Sequence, residues 1–224
     1  MLRCLQRIQL AMVPLNVLIA CEESQTECSA FLHAGCNAYS CDLQPCSGDF
    51  PSRHIVGDVR SLFVPGSFVT TSDGMPLCVP SWDLIIAHPP CTYLSKAGGA
   101  FLYKGGQLNH DRYALGLSAA QFFREMLEAP ARYVAVENPV PFKVFQLPPP
   151  SCSINPYDFG APWSKKTLLW LKNLPPLMCG TMAPHYKSWV YSTRGGKRRS
   201  KSFPVIAEAM VSQWLPVILG DKRR

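Results

Sequence analysis

Short apolar runs alternating with helical patterns predict an α/β domain built on a doubly wound, mostly parallel sheet of Rossmann-like type. Two observations carry that expectation. Runs such as Leu15–Ala20 and Trp82–Ala87 are apolar but for Asn16 and Asp83, as strands buried on both faces are. Each run also stops at a polar or turn-forming residue, and sheets of this kind bind ligands outside the carboxyl ends of their strands.

The elements follow in order. Leu15–Ala20 is the first strand, and residues Thr26 to Ala34 suit a helix closed by Gly35. Ala38–Cys41 reads as a second strand ending at Asp42, and His54–Val56 as a third ending at Gly57-Asp58. Trp82–Ala87 is stopped by His88-Pro89-Pro90. From Asn109 to Glu128, Tyr113, Leu117, Ala120, Phe123 and Leu127 recur at helical spacing. Asn109 and Arg112 open that helix, with a phosphate contact as the alternative role for Arg112. The strand Tyr133–Val136 ends at Glu137-Asn138-Pro139, and Thr167–Leu171 is a further strand. Phe203–Leu215 reads as a final helix with Ile206, Met210, Val211 and Trp214 on one face. The chain divides into an extension over 1–13, a core over 14–174, a short basic and aromatic region over 175–200, and a returning helix with a basic tail over 201–224.

Composition narrows the class. At 224 residues, 47% hydrophobic and 17% charged, the chain can bury a full core and does not read as disordered. The net charge is +7, and Arg194–Arg224 supplies +6 of it, from eight Lys or Arg against Glu208 and Asp221. That asymmetry fits a polyanionic partner, with a solvated tail as the plainer reading of Lys222-Arg223-Arg224. The ten cysteines include no Cys-x-x-Cys pair, which argues against a structural zinc site and for mostly inert, reduced thiols in a cytoplasmic setting. Arg3 and Arg7 ahead of an apolar stretch ending at Cys21 superficially resemble a lipoprotein signal. Pro14 and Asn16 interrupt that stretch, and Met12 offers an alternative start. No run reaches the ~18 apolar residues of a membrane span.

The strand ends gather Cys21-Glu22, Asp42, Asp58, Pro90-Cys91 and Glu137-Asn138. Asp42 stands where adenosine-binding folds hold a ribose, although an acid after a strand is equally a turn former. The first turn, Cys21-Glu22-Glu23-Ser24-Gln25, has no glycine, so a pyrophosphate cofactor is disfavoured and an adenosyl cofactor without phosphates is compatible. Cys91 reads as a buried thiol or as a nucleophile. A glutamate at the same edge, Glu137, favours the second reading, since thiol and carboxyl together suit attack on a ring with proton management at a ring nitrogen. His88 reads first as a capped core histidine, with contact to a cofactor or to Cys91 as the alternative.

The ordered set Val17–Glu22, Asp42, Gly57-Asp58-Val59, Pro89-Pro90-Cys91, Glu137-Asn138-Pro139 and Phe159–Pro162 resembles the DNA cytosine-5 methyltransferases, in particular a compact branch in phages and bacterial genomes. The resemblance spans about residues 15 to 216. It implies a class I methyltransferase fold and S-adenosylmethionine as cofactor. It further implies a duplex DNA substrate with the target base flipped out. By position, Cys91 would add to carbon 6 of cytosine, Glu137 would bond N3 and the exocyclic amine, and Lys165 would supply positive charge near the base. Cys21, Glu22, Ser24, Asp42, Leu43, Asp58, Val59, Pro90 and Ser202 would line the cofactor. Ser95, Lys96, Asn138, Lys166, Thr167, Trp189, Arg194, Lys197, Arg198 and Arg199 would face nucleic acid. Gly98-Gly99 and Gly105-Gly106 would hinge a closing loop.

Three departures stand against the family pattern. The first turn lacks glycine, Lys165-Lys166-Thr167 replaces an Arg-x-Arg, and Lys201-Ser202-Phe203-Pro204 only hints at the last motif. The recognition region, roughly 175–200, is very short, though Trp189 and Tyr191 beside its basic residues suit stacking. RNA or a free pyrimidine nucleotide as substrate, transfer of another group, and a degenerate nucleic-acid-binding protein remain the rival readings.

Overall fold

The computed structural model describes residues 14–96, 99–194, 198 and 201–222. The expected extension, Gly98, Lys197, Arg199, Arg223 and Arg224 lie outside the described residues. The chain runs β1 (Asn16–Ala20), α1 (Thr26–His33), β2 (Asn37–Asp42), β3 (His54–Val56), β4 (Phe68–Thr70), β5 (Pro76–Cys78) and β6 (Leu84–Ala87). Next come α2 (Gly99–Leu102), β7 (Tyr103–Lys104), β8 (Gln107–Leu108), α3 (His110–Leu127), β9 (Tyr133–Asn138) and β10 (Cys152–Ile154). It closes with β11 (Trp163–Ser164), β12 (Thr167–Lys172), β13 (Lys187–Ser188), α4 (Trp189–Ser192) and a last helix, α5 (Pro204–Lys222).

The central sheet has seven strands in the order β10-β12-β9-β6-β1-β2-β3. Neighbours from β9 through β6, β1 and β2 to β3 pair in parallel, while β12 is antiparallel to both β9 and β10. The fold is therefore α/β with a mostly parallel sheet, as the apolar runs predict. All parallel strands bring their carboxyl ends to one edge, and reversed β12 brings its start, Thr167, to that same edge. β10 is the strand the periodicity does not reveal, because its three residues, Cys-Ser-Ile, are too short to show a pattern.

Helices cover both faces. On one side Phe31 of α1 and Ile206, Met210, Trp214 and Ile218 of α5 pack on Val17, Ile19, Leu84 and Ile86. On the other, Ala120, Phe123 and Met126 of α3 pack with Trp82, Val134 and Trp170. Every side chain of the inner strands alternates between two buried layers, hence the unbroken apolar runs.

Two helix assignments need correction. The buried face of α3 is Gly116, Ala120, Phe123 and Met126, and Leu117 is 46% exposed. Gly116 is chosen by contact rather than propensity, since a Cβ there would stand 2.2 Å from Cζ of Phe145. α5 continues past Pro216 to Lys222 rather than stopping at Leu215. Pro216 lies on the exposed side between fully buried Trp214 and Ile218, so burial of the apolar side outweighs the lost backbone bond. Among the described residues no helix is long and apolar enough to cross a membrane.

Candidate functional site

The site begins with the loop after β6. Pro89 is buried and Pro90 exposed, and the carbonyl of Cys91 accepts the N–H groups of Leu94 (3.1 Å) and Ser95 (2.9 Å). That turn is stitched to the segment after β9: Lys96 N–H donates to Val140 O (3.0 Å) and Phe142 N–H to Leu94 O (2.8 Å). Asn138, fully buried, donates its Nδ2–H to Pro89 O at 3.0 Å. Arg112 at the start of α3 donates to Thr92 O at 2.7 Å and lies over the rings of Tyr93 and Phe101. The thiol thus sits in a loop braced from β9 and α3.

Glu137 lies at the end of β9, directly paired with Leu169 of β12. Because β12 is reversed, Thr167 and the preceding Lys165 reach the same edge. Cys91 feels both groups: burial pushes its thiol above the ordinary range, Glu137 adds to that, and Lys165 and a bond from Ser95 oppose it. Burial also pushes the Glu137 carboxyl upward. The hydrogen bond from His88, the charge of Lys165 and contact with Thr167 outweigh burial and hold the carboxyl below its usual value. At rest the pair is a thiol beside a carboxylate.

His88 is the residue that sequence reasoning undervalued. Its Nδ1 lies 3.0 Å from Glu137 Oε2, and its Nε2 lies 3.5 Å from Oε1 of Glu27, whose side chain is only 1% exposed. Glu27 adjoins buried Glu22, whose carboxyl is raised well above its normal value by burial and by Glu27. The sequence signal for Glu27 was absent, because a glutamate in a first helical turn normally serves the helix dipole in solvent.

Several expected contacts are placed differently. Glu22 turns inward, where its carboxyl accepts the N–H groups of Glu27 (2.7 Å) and Cys28 (3.3 Å) at the start of α1. Its carboxyl therefore caps the start of α1. Cys21 has φ 62°, and its N–H and that of Glu22 both donate to Cys41 O. Ser24 pairs with Thr26. The Asp42 carboxylate accepts Gln44 N–H at 2.8 Å, beside Leu43, which is 77% exposed. Asp58 caps the turn after β3 and pairs with Arg60 at 2.9 Å, while Val59 points its side chain into the core. Ser202 is half-buried next to Lys201, whose carbonyl accepts a bond from Lys165.

The nucleic-acid set also divides. Ser95, Asn138 and Thr167 are buried at 4%, 0% and 4%, so they support the Cys91 and Glu137 loops and do not form an outer face. Trp189 packs edge-on against Trp163 and Phe203 and is no open stacking platform. Lys96, Lys166, Arg194 and Arg198 are exposed. Tyr191 is 92% exposed, and Tyr157 and Tyr186 stack at 4.1 Å. Gly105 and Gly106 have φ 57° and 80° and form the two-residue turn of the β7–β8 hairpin, which corrects their reading as a hinge.

A partly buried thiol, carboxyl, imidazole and amine thus meet at one strand edge. No protein-family model matches this chain, and no curated protein matches its sequence significantly.

Proposed function

We propose that this chain methylates carbon 5 of cytosine in DNA through a covalent adduct between Cys91 and carbon 6. The observation that carries the reading is the assembly of Cys91, Glu137 and Lys165 from the ends of β6 and β9 and the start of reversed β12. The strand order supports it. Read along the parallel strands it follows the 3-2-1-4-5-6 order of nucleotide-binding sheets, with one reversed strand lodged between the last two. This is in keeping with the class I methyltransferase fold that the resemblance implies.

The residues present fit an adenosyl group without phosphates. The N–H groups at the start of α1, where a phosphate would dock, are already taken by the Glu22 carboxyl. Half-exposed Asp42 and outward-turned Leu43 stand at the β2 end to receive ribose and adenine, with the backbone at Asp58-Val59 as the opposite lip. S-adenosylmethionine held there supplies an electrophilic methyl group.

The chain's own residues do the rest. Cys91 gives its thiol proton to water and Sγ bonds carbon 6, the carbon 5–carbon 6 π pair moves into the ring, and the Glu137 carboxylate relays a proton to N3. Lys165 offsets negative charge between thiolate and carboxylate. After carbon 5 has gained its methyl, water takes the carbon 5 proton, the Sγ–carbon 6 bond breaks, and N3 returns its proton to Glu137. Exposed Lys166, Arg194 and Arg198, with Tyr191, supply phosphate and stacking contacts to the strand.

The test is transfer of tritiated methyl from S-adenosylmethionine to duplex DNA, with tRNA and dCMP as competing acceptors. Label is expected in DNA with the wild-type chain and none with Cys91→Ser. Transfer that survives Cys91→Ser overturns the proposal, and label in tRNA or dCMP alone reassigns the substrate.

A further inference from the structure

Glu137 cannot hand a proton to a ring nitrogen and remain a carboxylate unless something refills it. Its neighbour across 3.0 Å is His88 Nδ1, on the residue before the Pro89-Pro90-Cys91 loop. His88 is itself held on its far side. Nε2 faces Glu27 Oε1 at 3.5 Å, and both Nε2 and Glu27 Oε2 are buried with no hydrogen-bond partner among the described residues. Unbonded polar atoms on two adjoining buried groups are costly if both groups are neutral, and compatible with burial if imidazole and carboxyl carry opposite charge.

The surrounding charges can be counted by element. From α1 comes Glu27, from the β1–α1 turn Glu22, from β9 Glu137, from the segment before β12 Lys165, and from the loop after β6 Cys91. Glu22 and Glu27 lie carboxyl to carboxyl, which opposes ionisation of Glu22. The one with two backbone N–H donors, Glu22, is also the one pushed strongly upward, by burial and by Glu27. Two carboxyl groups, Glu27 and Glu137, thus flank the His88 imidazole, with Lys165 beside Glu137. Burial alone would neutralise the imidazole, but Glu27 and Glu137 together more than offset it.

We propose that His88 is the positioning residue and proton store for Glu137: braced by buried Glu27, it fixes the carboxyl and refills it with the proton delivered to the pyrimidine ring. This rests on the reading of Cys91 and Glu137 as a pair acting on a pyrimidine. The balance is simple. Sγ gives its proton to water and bonds carbon 6, while the Glu137 carboxylate takes the Nδ1 proton of His88 and passes one proton to N3, so that it stays ionised. The neutral imidazole keeps its Nε2–H toward Glu27. On elimination the N3 proton returns along the same path and the imidazolium is restored. No oxidant, metal or further acid is required.

The experiment measures methyl transfer from S-adenosylmethionine to duplex DNA against pH. The same chains are tested for a Cys91-dependent adduct with a 5-fluorocytosine duplex. His88→Gln is expected to lower transfer by about 100-fold, the size of an acid–base contribution, and to erase the profile limb belonging to the imidazole. Glu27→Gln, nearly isosteric and without contact to substrate, is expected to move that limb to lower pH. Its negative charge is what supports the imidazolium. NMR of the His88 ring should show titration above the ordinary histidine value of about 6.5, falling in Glu27→Gln. An active wild-type chain whose profile is unchanged in both variants overturns the His88 role alone. A wild-type chain that forms no adduct overturns the underlying reading, and with it this inference.

Discussion

Asn138→Ala separates a structural role from a nucleic-acid role at the heart of the site. The Asn138 side chain is fully buried, and its bond to Pro89 O at 3.0 Å ties β9 to the loop that carries Cys91. Truncation leaves the buried Pro89 carbonyl without its donor, at about 1–3 kcal/mol. In a chain of this size that corresponds to a fall in Tm of about 3–10 °C. Because the loop is also braced by Phe142 N–H to Leu94 O and by Arg112 to Thr92 O, it should loosen rather than unfold. The expected result is a lower midpoint in thermal denaturation followed by circular dichroism, slower methyl transfer, and DNA affinity within about twofold of wild type at fixed salt. An unchanged midpoint with weakened, more salt-sensitive DNA binding would refute the strut and restore Asn138 to the nucleic-acid face.

Two further predictions concern packing and thiol reactivity. Gly116→Ala places a Cβ 2.2 Å from the Phe145 ring and should destabilise the chain by about 1–3 kcal/mol in urea unfolding. Stability equal to wild type would mean that α3 does not approach Phe145 so closely. Glu137→Gln removes a charge that holds the Cys91 thiol up, and Lys165→Met removes one that holds it down. Alkylation of Cys91 by iodoacetamide at neutral pH, read by peptide mass spectrometry, should therefore speed up by about tenfold in the first variant and slow in the second. Changes of the same sign in both would remove the electrostatic account of the thiol.

Most of the sheet could be read from the chain because its inner strands are buried on both faces. Val17–Ala20 and Leu84–Ala87 have no polar side to confuse with a helix. Asn109 announced the start of α3 as its N-cap, accepting Arg112 N–H. Legibility failed where long-range contact chose the residue. Leu117 fits the helical period, yet Gly116 faces the core because Phe145 occupies the space above it. Gly105-Gly106 could read as a hinge or a tight turn, and pairing of Tyr103 with Leu108 decides for the turn. At the site, Cys91 and Glu137 were visible because Cys91 follows the end of one strand and Glu137 lies at the end of another. Ser95, Asn138 and Thr167 were placed on the wrong surface, since only the fold shows which polar side chains turn inward.

The glycine-free first turn is the clearest case of a departure that the structure explains. A glycine-rich turn leaves backbone N–H groups at a helix start open to a ligand anion. Here the Glu22 carboxyl fills that position from within the chain, accepting Glu27 and Cys28 N–H at 2.7 and 3.3 Å. The same carboxyl lies against Glu27, so filling that position also fixes where the Glu27 carboxyl stands. Glu27 then holds His88, and His88 holds Glu137. The Glu22 carboxyl thus does more than cap a helix. It closes the end of α1 to phosphate and converts that end into the inner support of the carboxyl beside Cys91.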